Sequence, residues 1–433
     1  MPSNPQNSRQ AGFSLIELLI GMLIAVEILV AALTIFDVHN RMARVQLQIT
    51  DMQQSLRVAQ YDMVRTTRMA GRGGLPAEFR VDNDDISVPW LRGLAVEVRD
   101  NVLEGGDDQV ALGIDEPVAQ PGTDILTVRG CLSGLLFQMD PTDPTDFTAT
   151  TLTINRDLPN GRSQDLAQLL EPGFSSPMLL QSSVSRGQYV VAEVASVAGN
   201  ATSVVLTITF ASTLSPPNPL VVALPAGFVP GFACALEEYR YYVRPTNIAD
   251  ANGDIQLSPK LARARMIPGT ELPHDEDDAN LSLDLADEIF DLQVALGFDT
   301  DYDSAGSGVG SFDDDVDSLG VDDVFYEGVD DDARSTDDWL GNSSSDNPAA
   351  TQYRVNAAIA ARPVRLYYVR ISTLGRTARR DAKYAAPDFD PVAGEDFIEN
   401  NNYDADPASY FKTPENRQFR HRLLRTVVDL RNI

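Results

Sequence analysis

The sequence predicts an α+β chain: a long N-terminal helix, half transmembrane and half amphipathic, packed on an enlarged antiparallel β-rich globular domain. Three observations predict it. Residues 13–36 form a 24-residue apolar run in which only Glu17 and Glu27 are charged. An apolar stripe at helical spacing continues past that run. From residue 77 onward, short β-type runs alternate with Pro, Gly, Asn and Asp.

The first element is a polar leader, residues 1–12, whose only charged side chain is Arg9. A basic leader keeps the N-terminus in the cytoplasm and sends the rest of the chain outward. The second element is the run 13–36. As a helix it extends about 36 Å, enough to span the roughly 30 Å hydrocarbon core of a bilayer. A secretory signal would carry a shorter apolar core followed by a small-x-small cleavage site. Here the run passes directly into Asp37-Val38-His39-Asn40-Arg41. Any cut therefore belongs before the run, and the anchor is retained.

The third element continues the helix over 37–70. Val38, Met42, Val45, Ile49, Met52, Leu56, Ala59 and Met63 recur at steps of four and three, one face of a helix. Arg41, Arg44, Gln48, Asp51, Gln54, Arg57 and Gln60 form the expected wet face. The stripe is expected to pack on the chain's own head. The helix is expected to stop near Met69, before Gly71, Gly73, Gly74 and Pro76.

The fourth element is the head, 77–433. Expected strands include 124–129, 188–194, 203–210, 239–244, 364–372 and 424–431, several alternating apolar with polar residues. The length suits one substantial core or two lobes.

A carboxylate in a membrane-length segment is costly unless it finds a partner. Gly12-Phe13-Ser14-Leu15-Ile16-Glu17 resembles the signal of type IV prepilins and type II secretion pseudopilins. The resemblance implies that a prepilin peptidase cuts after Gly12 and methylates the new terminus, Phe13, to N-methylphenylalanine. It also implies that Glu17 pairs with the terminal amine of a neighbouring subunit during assembly. An ammonium and a carboxylate in a low-dielectric bundle relieve each other's desolvation. Glu27 lies ten residues on, about 80° round the helix. It is expected to meet a basic group on a partner or to face a wet groove.

Segments farther along resemble the PilW-type minor pilins: 122–128, 285–294, 362–372 and 424–432, together with the helix end at 55–71. Extra length relative to that group is expected as insertions near 132–185, 299–350 and 376–412.

Beyond the anchor the chain faces an oxidising periplasm, where Cys131 and Cys234 are expected to form a disulfide; two buried thiols are the alternative. The net charge of −29 is concentrated: residues 299–338 hold fifteen acids against Arg334 alone. Asp299, Asp301 and Asp303 alternate in a manner that could gather calcium. Ser304 and Gly310 stand where an EF-hand needs Gly and Glu, so it is not one. A solvated acidic loop is the competing reading, and no cofactor is required.

Catalysis finds no foothold. His39, His274 and His421 stand apart from any partner, and no phosphate loop, Gly-x-Ser-x-Gly or His-Glu-x-x-His occurs. Arg376, Arg379, Arg380 and Lys383, and Arg417, Arg420, Arg422 and Arg425, form two basic clusters. In so acidic a chain they are expected to pair with acids in the fold or on a neighbouring subunit, and nucleic acid is not expected as a partner.

The expected function is non-enzymatic: a minor pilin of a type IV pilus, serving assembly, adhesion and motility at or near the filament tip. Expected partners are the prepilin peptidase, other minor pilins, the major pilin, a tip adhesin and inner-membrane lipid. The expected location is the inner membrane with the head in the periplasm, then the extracellular pilus. The alternatives are a type II secretion pseudopilin, and a membrane-anchored periplasmic binding protein or enzyme. In the resemblance, the large pseudopilin of the secretion tip lacks the glutamate and binds calcium.

Overall fold

A computed structural model describes residues 14–75, 78–81, 90–99, 102, 119–134, 136–139, 146–170, 176–184, 188–214, 217–249, 255–270, 282–298, 339–340, 364–381, 384, 397–398, 401–402 and 416–430. The chain divides into two units, residues 1–51 and 52–433.

Helix α1 (Leu15–Thr67, 53 residues) supplies nearly all of the described residues of the first unit and the opening of the second. Every residue from 14 to 44 is exposed, which suits an apolar surface that expects lipid or other helices rather than its own head. In the second unit Met52, Leu56, Ala59 and Met63 are buried. The stripe thus reaches the head's core only in its lower half; Val38 and Met42 remain 52% and 56% exposed. The helix ends two residues earlier than Met69. Met69 N–H and Ala70 N–H take the carbonyls of Thr66 and Thr67 in tight three-residue bonds, and turns run through 68–74.

The head starts as an antiparallel series: β1 (Glu78–Val81), β2 (Trp90–Gly93), β3 (Val96–Arg99) and β4 (Ile125–Gly130), each paired with the next. The chain then leaves this sheet and builds a second one from β5 (Phe137–Gln138), β6 (Thr151–Asn155), β7 (Met178–Ser182), β8 (Tyr189–Asn200), β9 (Ser203–Thr209) and β10 (Pro230–Ala235). It returns as β11 (Glu237–Arg244), which pairs directly with β4. Residues 131–236 are therefore an inserted lobe with its own sheet.

The lobe's strand order is β5-β10-β7-β8-β9-β6, so β5 and β6 are its two edges. Gln164 joins those edges: it accepts from Gln138 N at 2.9 Å and donates to the carbonyls of Asn155 at 2.7 Å and Gln138 at 3.2 Å. The lobe is thus a six-stranded barrel closed at one seam by a side chain. One apolar cluster draws on all six strands, from Phe137, Leu152 and Met178 to Val190, Leu206 and Ala233, as a closed interior requires.

After β11 come a ribbon of β12 (Asn247–Ala249) and β13 (Ile255–Leu257), then β14 (Lys260–Met266), β15 (Ser282–Asp287) and β16 (Ile289–Phe298). The remaining strands are β17 (Trp339–Leu340), β18 (Val364–Arg376), a ribbon of β19 (Phe397–Ile398) and β20 (Asn401–Asn402), and β21 (His421–Asp429). The body sheet runs β15-β14-β11-β4-β3-β2-β1-β18-β16-β17, with β21 added on β18. Every strand-to-strand pairing in it is antiparallel.

The lower part of α1 lies on this sheet. An added Cβ on Gly375 of β18 would sit 2.9 Å from Leu56, so glycine here allows the helix its close approach. Gln60, placed by its sequence position on the wet face, is instead 6% exposed. It is one helical turn from both Leu56 and Met63, so the buried face includes it. Its amide donates to the carbonyls of Leu424 at 2.7 Å and Ile371 at 3.3 Å, and Thr426 donates to its oxygen. Asp62 similarly receives the Tyr241 hydroxyl at 2.8 Å and Arg263 at 2.9 Å.

Candidate functional site

The first candidate is the N-terminus of α1. Ser14 and Glu17 form a reciprocal capping box: Ser14 N–H donates to the Glu17 carboxylate at 3.0 Å, and Glu17 N–H donates to Ser14 Oγ at 3.2 Å. Two backbone donors that the helix cannot use internally are thereby satisfied. The Ser-x-x-Glu spacing is legible in the sequence, and the structure adds the capping role of Ser14. Gly12 and Phe13 lie outside the described residues. A cut before Phe13 would place an ammonium one residue upstream of the amide that Glu17 already binds. Glu27 is exposed on the same helix, ten residues on. Asp37 and Arg41 pair at 3.1 Å across one turn, both exposed, where such pairs contribute little.

The second candidate is a buried ion network at the lobe's neck. Arg129 of β4 donates to Glu238 of β11 at 2.5 Å and to Glu97 of β3 at 2.7 Å. Arg240 meets the other oxygen of Glu238 at 2.7 Å and the Thr270 carbonyl at 2.7 Å. Gly269 N–H adds a bond to Glu238 at 2.8 Å. Burial pushes the pKa of Glu238 up, but Arg129 and Arg240 outweigh it and hold the carboxyl below its ordinary value. Glu97 follows the same pattern, burial being outweighed by Arg129, Arg240 and Arg99. Shifted carboxylates mark active sites when they face a cleft. These face their own arginines, and the arrangement serves to fasten three strands.

Cys131 and Cys234 are joined, with their Cα atoms 5.9 Å apart across 103 residues. The bond ties the chain's exit from β4 to its return toward β11. Around it, Gly71 N–H donates to the Arg129 carbonyl and Cys131 N–H to the Arg72 carbonyl. Gly73, at φ +100°, leaves no room for a Cβ, which would meet Cys131 Sγ at 2.2 Å. The turn after α1 therefore rests directly on the disulfide. Along the helix, Leu56 meets Gly375, Gln60 meets Leu424, and the turn meets Arg129 and Cys131. The lobe thus joins the body at the C-terminal end of the helix.

The two basic clusters converge on one another. Arg376 pairs with Glu288 at 2.8 Å and stacks on Phe419 at 4.4 Å. Arg380 covers the same ring at 5.6 Å, and Arg420 pairs with Asp381 at 3.2 Å while stacking on Tyr384 at 4.1 Å. Lys383 lies outside the described residues. Burial and the Arg376 charge push the His421 pKa down to about 4. His39 is exposed, and His274 lies outside the described residues. Asp299, Asp301 and Asp303, with the whole acidic stretch 299–338, also lie outside them. Among the described residues there is no group of three or more His, Cys, Asp or Glu able to hold a metal.

A family model for the prokaryotic N-terminal methylation motif matches residues 7–33. No curated protein and no solved structure matches the chain. Helix α1 is also long and apolar enough to cross a membrane. The motif and the helix, the one such helix among the described residues, mark a type IV prepilin-like, membrane-anchored protein. They imply processing by prepilin peptidase and assembly with other pilins.

Proposed function

We propose that this chain is a minor pilin of a type IV pilus that enters the filament at or near its tip, primes assembly and supports adhesion and motility. The role is structural rather than enzymatic. The observation that carries the reading is Glu17, held by Ser14 at the start of an exposed apolar helix and five positions after the proposed cut. Capping would serve a plain anchor as well, but a carboxylate at this distance from the proposed cut is also placed to dock an incoming amine. A separate lobe inserted at the far end of the helix supports a terminal rather than a repeated position. Partners in this reading are the prepilin peptidase, the major pilin, other minor pilins and a tip adhesin.

The test is the mature N-terminus. Mass analysis of the chain coexpressed with prepilin peptidase should give N-methyl-Phe13 as the first residue. An intact Met1 under those conditions would sink the reading. The acidic stretch 299–338 favours a second reading, a minor pseudopilin of a type II secretion system. Filament purification separates the two: the chain should copurify with surface pili.

A further inference from the structure

We propose that the barrel lobe carries a binding site for a single uncharged sugar ring at its seam. The seam lies between edge strands β5 and β6, which do not pair with each other. A cleft of about 240 Å³ opens there, lined by Gln138, Asp146, Thr153, Asn155, Asp157 and the Leu158-Pro159 step. That volume is below the roughly 300–1,000 Å³ of sites that take a drug-sized molecule. It suits one small ring.

The chemistry of the lining selects the class. Asp146 is 7% exposed, and both its oxygens receive the Asn155 amide, at 3.1 and 3.3 Å. This pair forms a fixed floor. Around it, the Gln138 amide, the Thr153 hydroxyl and the Asp157 carboxylate have no side-chain hydrogen-bond partner among the described residues. They offer both donors and acceptors to a ligand rich in hydroxyl groups. Two carboxylates, with no cation lining the cleft among the described residues, disfavour a phosphate, sulfate or uronic acid, because a like charge is repelled. A metal ion is disfavoured by the donor set, which among the described residues lacks a third carboxylate, histidine or cysteine. Leu158 and Pro159 give the wall against which the C–H face of a ring can rest. Gln164 holds the cleft's two sides at fixed spacing through its bonds to Gln138 and Asn155. The ligand therefore meets a preformed site.

The experiment is saturation-transfer NMR on the full chain in a sugar-free detergent, with methyl glucoside, methyl galactoside and methyl mannoside as probes. At least one should receive transfer, with an affinity of about millimolar, as a ligand of this size allows. Asp157→Ala and Thr153→Val should each weaken it about tenfold, a loss of one hydrogen bond to a polar ligand. Asp157 is exposed and Thr153 half-buried, so melting curves should match the parent and certify folding. A third variant, Gln138→Ala at an exposed position, repeats the test should either fail that control. Absence of transfer from all three probes overturns the proposal, as does transfer that the substitutions leave unchanged. Calcium stabilisation that vanishes in Asp157→Ala also overturns it, by assigning the cleft to a cation.

Discussion

The side-chain amide of Gln60 donates to the backbone carbonyl of Leu424 at 2.7 Å, linking residues 364 apart. The same amide reaches Ile371, and Thr426 bonds its oxygen, so one residue of the helix fastens two neighbouring strands, β18 and β21. Replacing Gln60 by Leu keeps the volume and removes the bonds. The Ile371 and Leu424 carbonyls then lose this amide, Leu424 keeping only the longer bond from the Thr373 hydroxyl at 3.3 Å, which costs about 1–3 kcal/mol. Urea unfolding should show a lower midpoint with an unchanged slope.

Gly375 and Leu56 give a second test of the same packing. Gly375→Ala introduces a Cβ 2.9 Å from Leu56 and should destabilise the head by about 1–3 kcal/mol through overpacking. Adding Leu56→Ala to that variant frees the space. The double variant should then be more stable than the sum of the two single losses. Strict additivity would show that the two residues do not compete for space.

The disulfide closes a loop of 103 residues, for which the chain-entropy model gives about 4–5 kcal/mol. Reduction should lower the melting temperature of the head. Gly73→Ala should have a comparable effect in the oxidised chain, because its Cβ would collide with Cys131 Sγ. If Gly73→Ala melts like the parent, the turn does not rest on the disulfide.

Acid should weaken the head in two windows. His421 has a folded pKa lowered to about 4 from an ordinary value of 6.5, so between these values the unfolded chain binds the extra proton. Stability therefore falls as pH drops through that window, by up to about 1.4 kcal/mol per pH unit. His421→Gln should flatten the slope there. Glu97 and Glu238 have lowered folded values, so their contribution is present above the ordinary carboxylate value of 4.5 and is lost as pH falls through the folded one. The second loss should therefore appear only in stronger acid, and His421→Gln should leave it in place.

Glu17→Ala should leave membrane insertion intact, since it makes the apolar run more apolar. The fraction recovered in sheared filaments should fall at least about tenfold, the equivalent of roughly 1.4 kcal/mol of docking energy. Equal recovery would remove the assigned docking role. Ser14→Ala provides a graded comparison, as it deletes one half of the cap and costs about 1 kcal/mol of helix stability.

Much of this architecture was legible in the chain itself. The apolar run, the stripe at Met52, Leu56, Ala59 and Met63, and strands such as β9 and β18 announce themselves by period alone. Three features were not legible, each for a physical reason. Gln60 is buried because its partners are carbonyls more than 300 residues away, and no local pattern records that. Val38 and Met42 continue the stripe without joining the head, because spacing shows which face is apolar and not what covers it. The lobe is a separate barrel because β4 and β11 pair with one another, a register that depends on strands apart in sequence. At the candidate site, Glu17 is evident as a charge in an apolar run, and the Ser14-x-x-Glu17 spacing carries the capping box that the structure forms.

The pairing of β4 with β11 also bears on what could stand in place of the lobe. Gly130 and Glu237 are neighbours across that ladder, and the crosslinked Cys131 and Cys234 follow at 5.9 Å. The body therefore presents a socket of fixed width, and whatever fills it must begin and end at the same spacing. Joining β4 to β11 by a two-residue turn would restore an ordinary hairpin beneath it. Another domain with close termini could be seated there only if it kept the contacts that Leu179, Gln181 and the disulfide make with the turn after α1. What lies between Cys131 and Cys234 is thus constrained at its two ends and along the side that meets the turn after α1.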